Sequence, residues 1–317
     1  MNLIRFVCSK LSPAGEKGQL SVFIFHRVFP EPDLLFPDEP DAQCFNQILG
    51  WIKSWFNVLP LDQAISKLKC ESLPERAAAI SFDDGYADNR TVALPILLRH
   101  RLTATFFIAT GFLDGGRMWN DSIIESVRAC REPILDLQPV ALGAYPVGTC
   151  QEKREAIAAI IAKVKYRAIR ERIEVTSRIA TLANVSLPTD LMMSSRQVKE
   201  MLEAGMQIGA HTVSHPILAS IDLAEARDEM SGSKIFLENL LAERVSLFAY
   251  PNGKPGIDYL SEHVSLAQEI GFDAAVTTAM GSARSGVDLY QVPRFTPWDR
   301  SELRFGVRLL SNLRNNS

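Results

Sequence analysis

Six short apolar runs, each ended by turn residues and separated by stretches with helical spacing, limit what this chain can fold into. "SVFIFHRV" (21–28), "AAISFDDG" (78–85), "TATFFIAT" (103–110), "MQIGAHT" (206–212), "SLFAYP" (246–251) and "FDAAVTT" (272–278) read as buried strands. Between them, "QCFNQILGWIKSWF", "DNRTVALPILLRHR", "SRQVKEMLEAG" and "DLAEARDEMSGSKIFLENLL" carry apolar residues at helical spacing. The glycine of "EAGMQIGAH" stands where a helix should stop just before a strand. Such strand–helix alternation predicts an α/β fold with a parallel sheet, open or closed into a barrel.

Residues 132–190 break this rhythm. "REPILDLQPVALGAYPVGTC" has no clear period, and the stretch after it reads as one or two charged amphipathic helices. It is expected to be an insertion between barrel units within a single domain over 1–317. A net charge of −3 argues against a nucleic-acid binder that works by phosphate neutralisation. No apolar run approaches the roughly 20 residues that span a bilayer, and "MNLIRFVCSKLSPAGEKG" lacks the apolar centre of a secretory signal. The expected compartment is cytoplasmic. The five cysteines are scattered without a C-x-x-C pair, so metal chemistry would have to come from histidine and carboxylate.

Three polar motifs fall at the C-terminal ends of predicted strands, the edge where α/β folds gather their active sites. In "SFDDG", adjacent strand residues point to opposite faces, so Asp83 and Asp84 together suit a strand end where the chain turns at Gly85. Taken alone, the pair reads first as a cap for the helix that begins near Asp88. In "HTVSHP", His211 and His215 are spaced to meet on one turn of chain, and neutral imidazole is a preferred ligand for zinc and related metals. Satisfied structural histidines would fit the four-residue spacing as well. Together, two histidines and a carboxylate make a facial site with open positions for water and substrate. His26, in "FIFHRV", ends the first strand on the same edge and is a candidate general acid. His100 and His263 fall on predicted helices and are assigned no role.

"ISFDDGYADN", "HTVSHP" and "FAYPNGKPG" resemble, in order and rhythm over roughly residues 20–300, the first three motifs of the NodB-type polysaccharide deacetylases, carbohydrate esterase family four. The resemblance implies a distorted (β/α) barrel of about seven strands, here with a helical insertion. It also implies a hydrolase that removes N-acyl groups from sugars with one divalent metal, Zn2+ foremost, with Co2+, Ni2+ or Fe2+ as alternatives. On this resemblance Asp84, His211 and His215 would bind the metal and Asp83 would take the proton of the attacking water. A backbone N–H near Asn252 would steady the oxyanion.

The chain departs from the common pattern in two places. It has no histidine after His263, so the C-terminal Leu-x-His motif that carries the general acid is absent. "FHRV" is similar to the N-terminal YHxV-like strand of one branch, which makes His26 the expected acid. The arginine usual in the third motif is also missing, and Arg294, in "YQVPRF", is expected to pair with Asp83 and keep it ionised. Asp288 is a candidate to orient His26. Tyr250, Pro251, Asn252 and Trp119 are candidate substrate contacts. The implied partner is an N-acylated amino-sugar glycan, or a lipid-linked precursor that would suit the expected compartment. The basic, partly amphipathic "RSELRFGVRLLSNLR" could rest on an anionic membrane surface or pack against the barrel. Two rivals remain: a non-haem iron oxygenase, which leaves the second aspartate unexplained, and a non-catalytic sugar-binding relative.

Overall fold

The structure, a computed structural model, describes residues 3–314. Its strands are β1 (Leu20–Phe25), β2 (Asn57–Val58), β3 (Ala77–Phe82), β4 (Thr105–Ile108), β5 (Ile134–Asp136), β6 (Ala144–Pro146), β7 (Gln207–Ala210), β8 (Leu247–Ala249) and β9 (Ala274–Val276). All but β5 and β6 form one parallel sheet in the order β1-β3-β4-β7-β8-β9, with the two-residue β2 also against β3. Each of the six predicted apolar runs contributes one of these strands.

The sheet curls until its two edges meet a common segment. Val292 bridges Val276 of β9, and Phe295, three residues on, bridges Phe23 of β1. The backbone bonds Val292 N to Ala275 O (3.0 Å) and Phe295 N to Val22 O (2.8 Å) fix that closure. The result is a distorted α/β barrel, with Arg294 carried on the closing segment.

Alternate residues of each strand divide between two cores, as the two-residue strand period requires. Phe23, Phe25, Ala78, Ile80, Phe82, Phe106 and Phe248 pack toward the outer helices Ala42–Trp55, Leu94–His100 and Leu223–Leu241. Phe82 stacks between Phe25 and Phe106, with centroids 5.2 and 4.7 Å away. Leu20, Val22, Ala77, Ala79, Phe107, Leu247, Ala249 and Val276 form the other core, which helix Leu61–Lys69 also enters. The small residues on that side leave room for Phe107: a Cβ on Gly209 would stand 2.4 Å from its ring.

The insertion has a hydrophobic cluster of its own. β5 and β6 form an antiparallel hairpin where the sequence showed no period, and two helices follow, Cys150–Val164 and Ile169–Leu182. Ile157, Ile160 and Ile179 pack with Ile123 and Val127 of helix Trp119–Ala129. The first insertion helix starts at a reciprocal cap between Thr149 and Glu152. At the other end of the chain, helix Glu302–Arg314 turns Phe305, Leu309 and Leu313 inward, and Phe305 stacks on Trp55 at 5.5 Å. Its apolar stripe therefore faces the barrel. Among the described residues, no helix is long and apolar enough to cross a membrane.

Candidate active site

Parallel pairing brings the ends of β1, β3 and β7 to one edge. Asp83 N donates to Phe25 O (3.0 Å) and His211 N donates to Ile108 O (3.1 Å), so His26, Asp83 and His211 leave the sheet at the same side. Asp83 continues the alternation of Ala77, Ala79 and Ser81 and points into the barrel. There Arg294 grips it with two parallel bonds, Nη1 to Oδ1 at 2.7 Å and Nη2 to Oδ2 at 2.6 Å. The guanidinium is itself held by Thr277 O (2.7 Å) and Ser81 Oγ (3.2 Å), and both partners are almost wholly buried. Burial alone would raise the Asp83 pKa; Arg294 and, further off, His211 outweigh it and hold the carboxyl below its usual range.

Asp84 does not follow the alternation. Its φ of 77° lies in the left-handed region, and Gly85 follows at 89°, so the chain reverses and the second carboxylate faces the strand edge rather than the outer helices. Thr212 (65°), His215 (55°) and Asn252 (57°) share this conformation. Four of the eleven described non-glycine residues with positive φ thus stand in the loops around one point, and the other seven lie at turns and helix ends elsewhere.

"HTVSHP" is a braced loop, not a helical turn. Thr212 Oγ1 accepts from His215 N (3.1 Å). Glu229, on helix Leu223–Leu241, accepts from Val213 N (2.8 Å), Ser214 N (2.7 Å) and Ser214 Oγ (2.5 Å). Gly111 N ties the loop to the chain after β4 through Val213 O (2.8 Å). The two imidazoles lie 4.8 Å apart, each with Nε2 3.4 Å from the same atom, Asp84 Oδ1. His211 Nδ1 lies 2.7 Å from Ala249 O and donates to it, so Nε2 is the lone pair of the neutral ring, although the facing Asp84 and Asp83 carboxylates outweigh burial and push its pKa up. Burial pushes His215 down to about 4, so it is neutral at pH 7.

Asp84 Oδ1 is buried and has no hydrogen-bond partner. An oxygen without a partner and a lone-pair nitrogen facing it is the chemistry of a cation site. Ligand atoms from Asp84, His211 and His215 all lie within 4.8 Å of one another, and this donor set fits a divalent metal.

Two cavities flank Asp84. One, of about 260 Å³, is lined by His26, Glu39, Tyr86 and Asp121. Asp121 is 2% exposed, and its Oδ1 accepts from Tyr86 Oη at 3.1 Å. Burial raises its carboxyl to about 7, with Arg27 opposing and Asp84 adding to the rise. The other cavity, of about 180 Å³, is lined by His215, Trp119 and Asn252, with Lys165 and Arg172 from the insertion. Asn252 N finds no acceptor among the described residues.

Three of the residues singled out above are not brought to the site. Tyr250 shares the outward face of Phe248 and is wholly buried, its ring stacked 3.9 Å from that of Tyr259. Pro251 is buried beside it and lines neither cavity. Asp288 does not meet His26: it accepts from Tyr290 N and Gln291 Nε2, both at 2.9 Å, within its own turn. His100 bonds Asn46 on the neighbouring helix and His263 caps its own helix through Leu260 N, both structural. The cysteines are free. Glu229, Glu39, Asp121 and Arg172 carried no motif, and only the packing of distant elements reveals them.

This chain belongs to the polysaccharide deacetylase family, whose sequence profile matches residues 71–132 and 141–275. YxkH of Bacillus subtilis (strain 168), a curated relative, is 28% identical over 102 residues, which is 32% of this chain and 35% of that protein's length. The fold is shared with the Streptococcus pyogenes deacetylase PplD in complex with acetate (TM-score 0.63, 18% identity, 94% of this chain and 99% of that one). It is also shared with IcaB from Ammonifex degensii (TM-score 0.59, 17% identity, 96% and 99%).

Proposed function

We propose that this protein is a cation-dependent deacylase of an N-acylated amino sugar in a glycan or glycan precursor. The observation that carries the reading is the meeting of Asp84, His211 and His215 beside an Asp83 locked by Arg294. A divalent cation held there, zinc being the metal this donor set suits first, supplies Lewis acidity to the acyl carbonyl and to the attacking water. Asp83 takes the proton of that water, and Arg294 keeps it ionised to do so. The N–H of Asn252, without an acceptor among the described residues, steadies the charge that develops on the acyl oxygen. His26 sits across Asp84 from that cavity and delivers the proton the departing amine needs. Trp119 offers its ring as a platform for the sugar.

The test pairs metal content with acetate release from N-acetylglucosamine oligomers, with and without chelator. Stoichiometric metal and chelator-sensitive release are expected, and both should vanish in Asp84→Ala and His215→Ala. Turnover by protein that retains no metal would overturn the mechanism.

A further inference from the structure

The helical insertion does more than cover the barrel: it places cations beside the candidate active site without matching carboxylates. Arg172 is 6% exposed, its Nε has no hydrogen-bond partner, and among the described residues no carboxylate pairs with it. Its guanidinium lies over the Trp119 ring at 4.9 Å and Nη1 donates to Lys165 O at 3.1 Å. Lys165 is half-buried on the same wall, and no carboxylate among the described residues pairs with it. In the 180 Å³ cavity Asp84 is the one carboxylate, and the metal would engage it.

Behind Trp119 and Arg172 lies a further cavity of about 410 Å³, within the ~300–1,000 Å³ range of small-molecule sites. Arg117, Thr176, Ser177 and Ser214 line it with Trp119 and Arg172, and no aspartate or glutamate does. Arg117 bonds Ser122 Oγ (3.0 Å) and Pro188 O (2.5 Å), again with no carboxylate partner among the described residues. Ser214 belongs to the loop that carries His215, so this cavity abuts the metal ligands.

A guanidinium cannot shed its charge at neutral pH, and burying it without a counter-charge costs several kcal/mol. In a chain of net charge −3 whose other two buried arginines among the described residues, Arg76 and Arg294, each face a carboxylate, the exception needs a reason. We propose that Arg172, with Lys165 and Arg117, forms an anion subsite, so that the substrate carries a phosphoryl or carboxylate group next to its acylated sugar. The substrate half of this inference rests on the deacylation reading; the anion subsite does not. A planar fork stacked on an indole, with hydroxyls around it, matches the geometry such oxyanions need.

Calorimetric titration of the full chain, on an Asp83→Asn background that leaves the acyl group intact, tests this. The probes are N-acetylglucosamine, N-acetylglucosamine 1-phosphate, and a disaccharide of N-acetylglucosamine and glucuronate. At least one anionic probe is expected to bind about 10-fold or more tightly than the neutral sugar, as one charge-assisted contact supplies. That advantage should shrink between about 50 and 500 mM salt. It should be lost in Arg172→Gln and partly kept in Arg172→Lys. Preference for the phosphate points to a glycosyl phosphate such as a lipid-linked precursor, and preference for the uronate to an acidic polymer. Equal binding of all three probes would overturn the proposal. So would an anionic advantage that survives both Arg172→Gln and Lys165→Gln; the second, at a half-exposed position, serves if the first fails to fold. Anion preference without acetate release from any probe by the unmodified chain would keep the subsite and remove the deacylation reading.

Discussion

Replacing Arg294 by methionine separates the two jobs that the Asp83–Arg294 pair performs. In the folded protein both Asp83 oxygens are held by the one guanidinium, at 2.7 and 2.6 Å, with both side chains all but inaccessible to water. Removing one partner of a buried pair leaves an uncompensated charge and costs about 3–5 kcal/mol. Thr277 O loses its donor as well. At roughly 2–4 °C per kcal/mol in a large domain, the melting midpoint should fall by about 10 °C at pH 8.

The sign with pH follows from linkage. In the unmodified chain the Asp83 pKa is depressed, so its contribution is present above the unfolded carboxylate value of about 3.9 and is lost as pH falls through the folded one. Without Arg294, burial dominates and the Asp83 pKa rises. The deficit should then be full at alkaline pH and fade on acidification, as the stranded carboxylate takes up a proton. The acidic limb of the rate profile should move to higher pH in step, because the reaction needs Asp83 ionised. Melting curves at pH 5 and pH 8 and the pH dependence of kcat/KM read both effects. Arg294→Lys should fall between the two proteins, and Asp83→Asn with Arg294→Met should recover part of the lost stability. An Arg294→Met variant with unchanged melting and an unmoved acidic limb would refute the assignment of the pair.

Three other outcomes are expected. Asp83→Asn should retain metal with the affinity of the unmodified chain and lose most of the rate; undiminished turnover would show the two aspartates to be assigned the wrong way round. Glu229→Gln weakens the bonds that brace the His211–His215 loop, and metal affinity should drop about 10-fold or more, read by competition with a chromogenic chelator. Because burial raises Asp121 to about 7, stability should fall as pH rises from about 4 to 7, where the folded chain retains a proton that the unfolded chain has released. Asp121→Asn should flatten that slope in melting curves taken across this range.

Much of this site can be read along the chain because parallel α/β folds put strand ends on one edge. The apolar runs locate β1, β3, β4, β7, β8 and β9, and parallel topology alone makes neighbours of the residues that end three of them, His26, Asp83, Asp84 and His211. The choice of Arg294 as the partner of Asp83 rests on the resemblance: the family's third-motif arginine is missing, and Arg294 follows a predicted strand from which a guanidinium can keep a carboxylate ionised. Tyr250 misled because a strand end has two faces: one residue's difference in alternation sends Asp83 into the barrel and Tyr250 into the outer core. Asp288 misled because a short turn satisfies an aspartate locally before any distant histidine can.

What sequence determined by itself was the set of strands, the edge on which chemistry gathers, and the donor types that can hold a cation there. Tertiary structure alone decided the left-handed turn that swings Asp84 away from Asp83, the bracing of the histidine loop by Glu229, and the closure that delivers Arg294. It also decided that Arg172, 88 residues beyond Asp84, should stand against Trp119 with no carboxylate partner among the described residues. The physical reason is range. Periodicity and turn chemistry act over a few residues and leave a mark in local sequence, whereas backbone strain and buried charge are fixed by contacts between segments far apart in the chain.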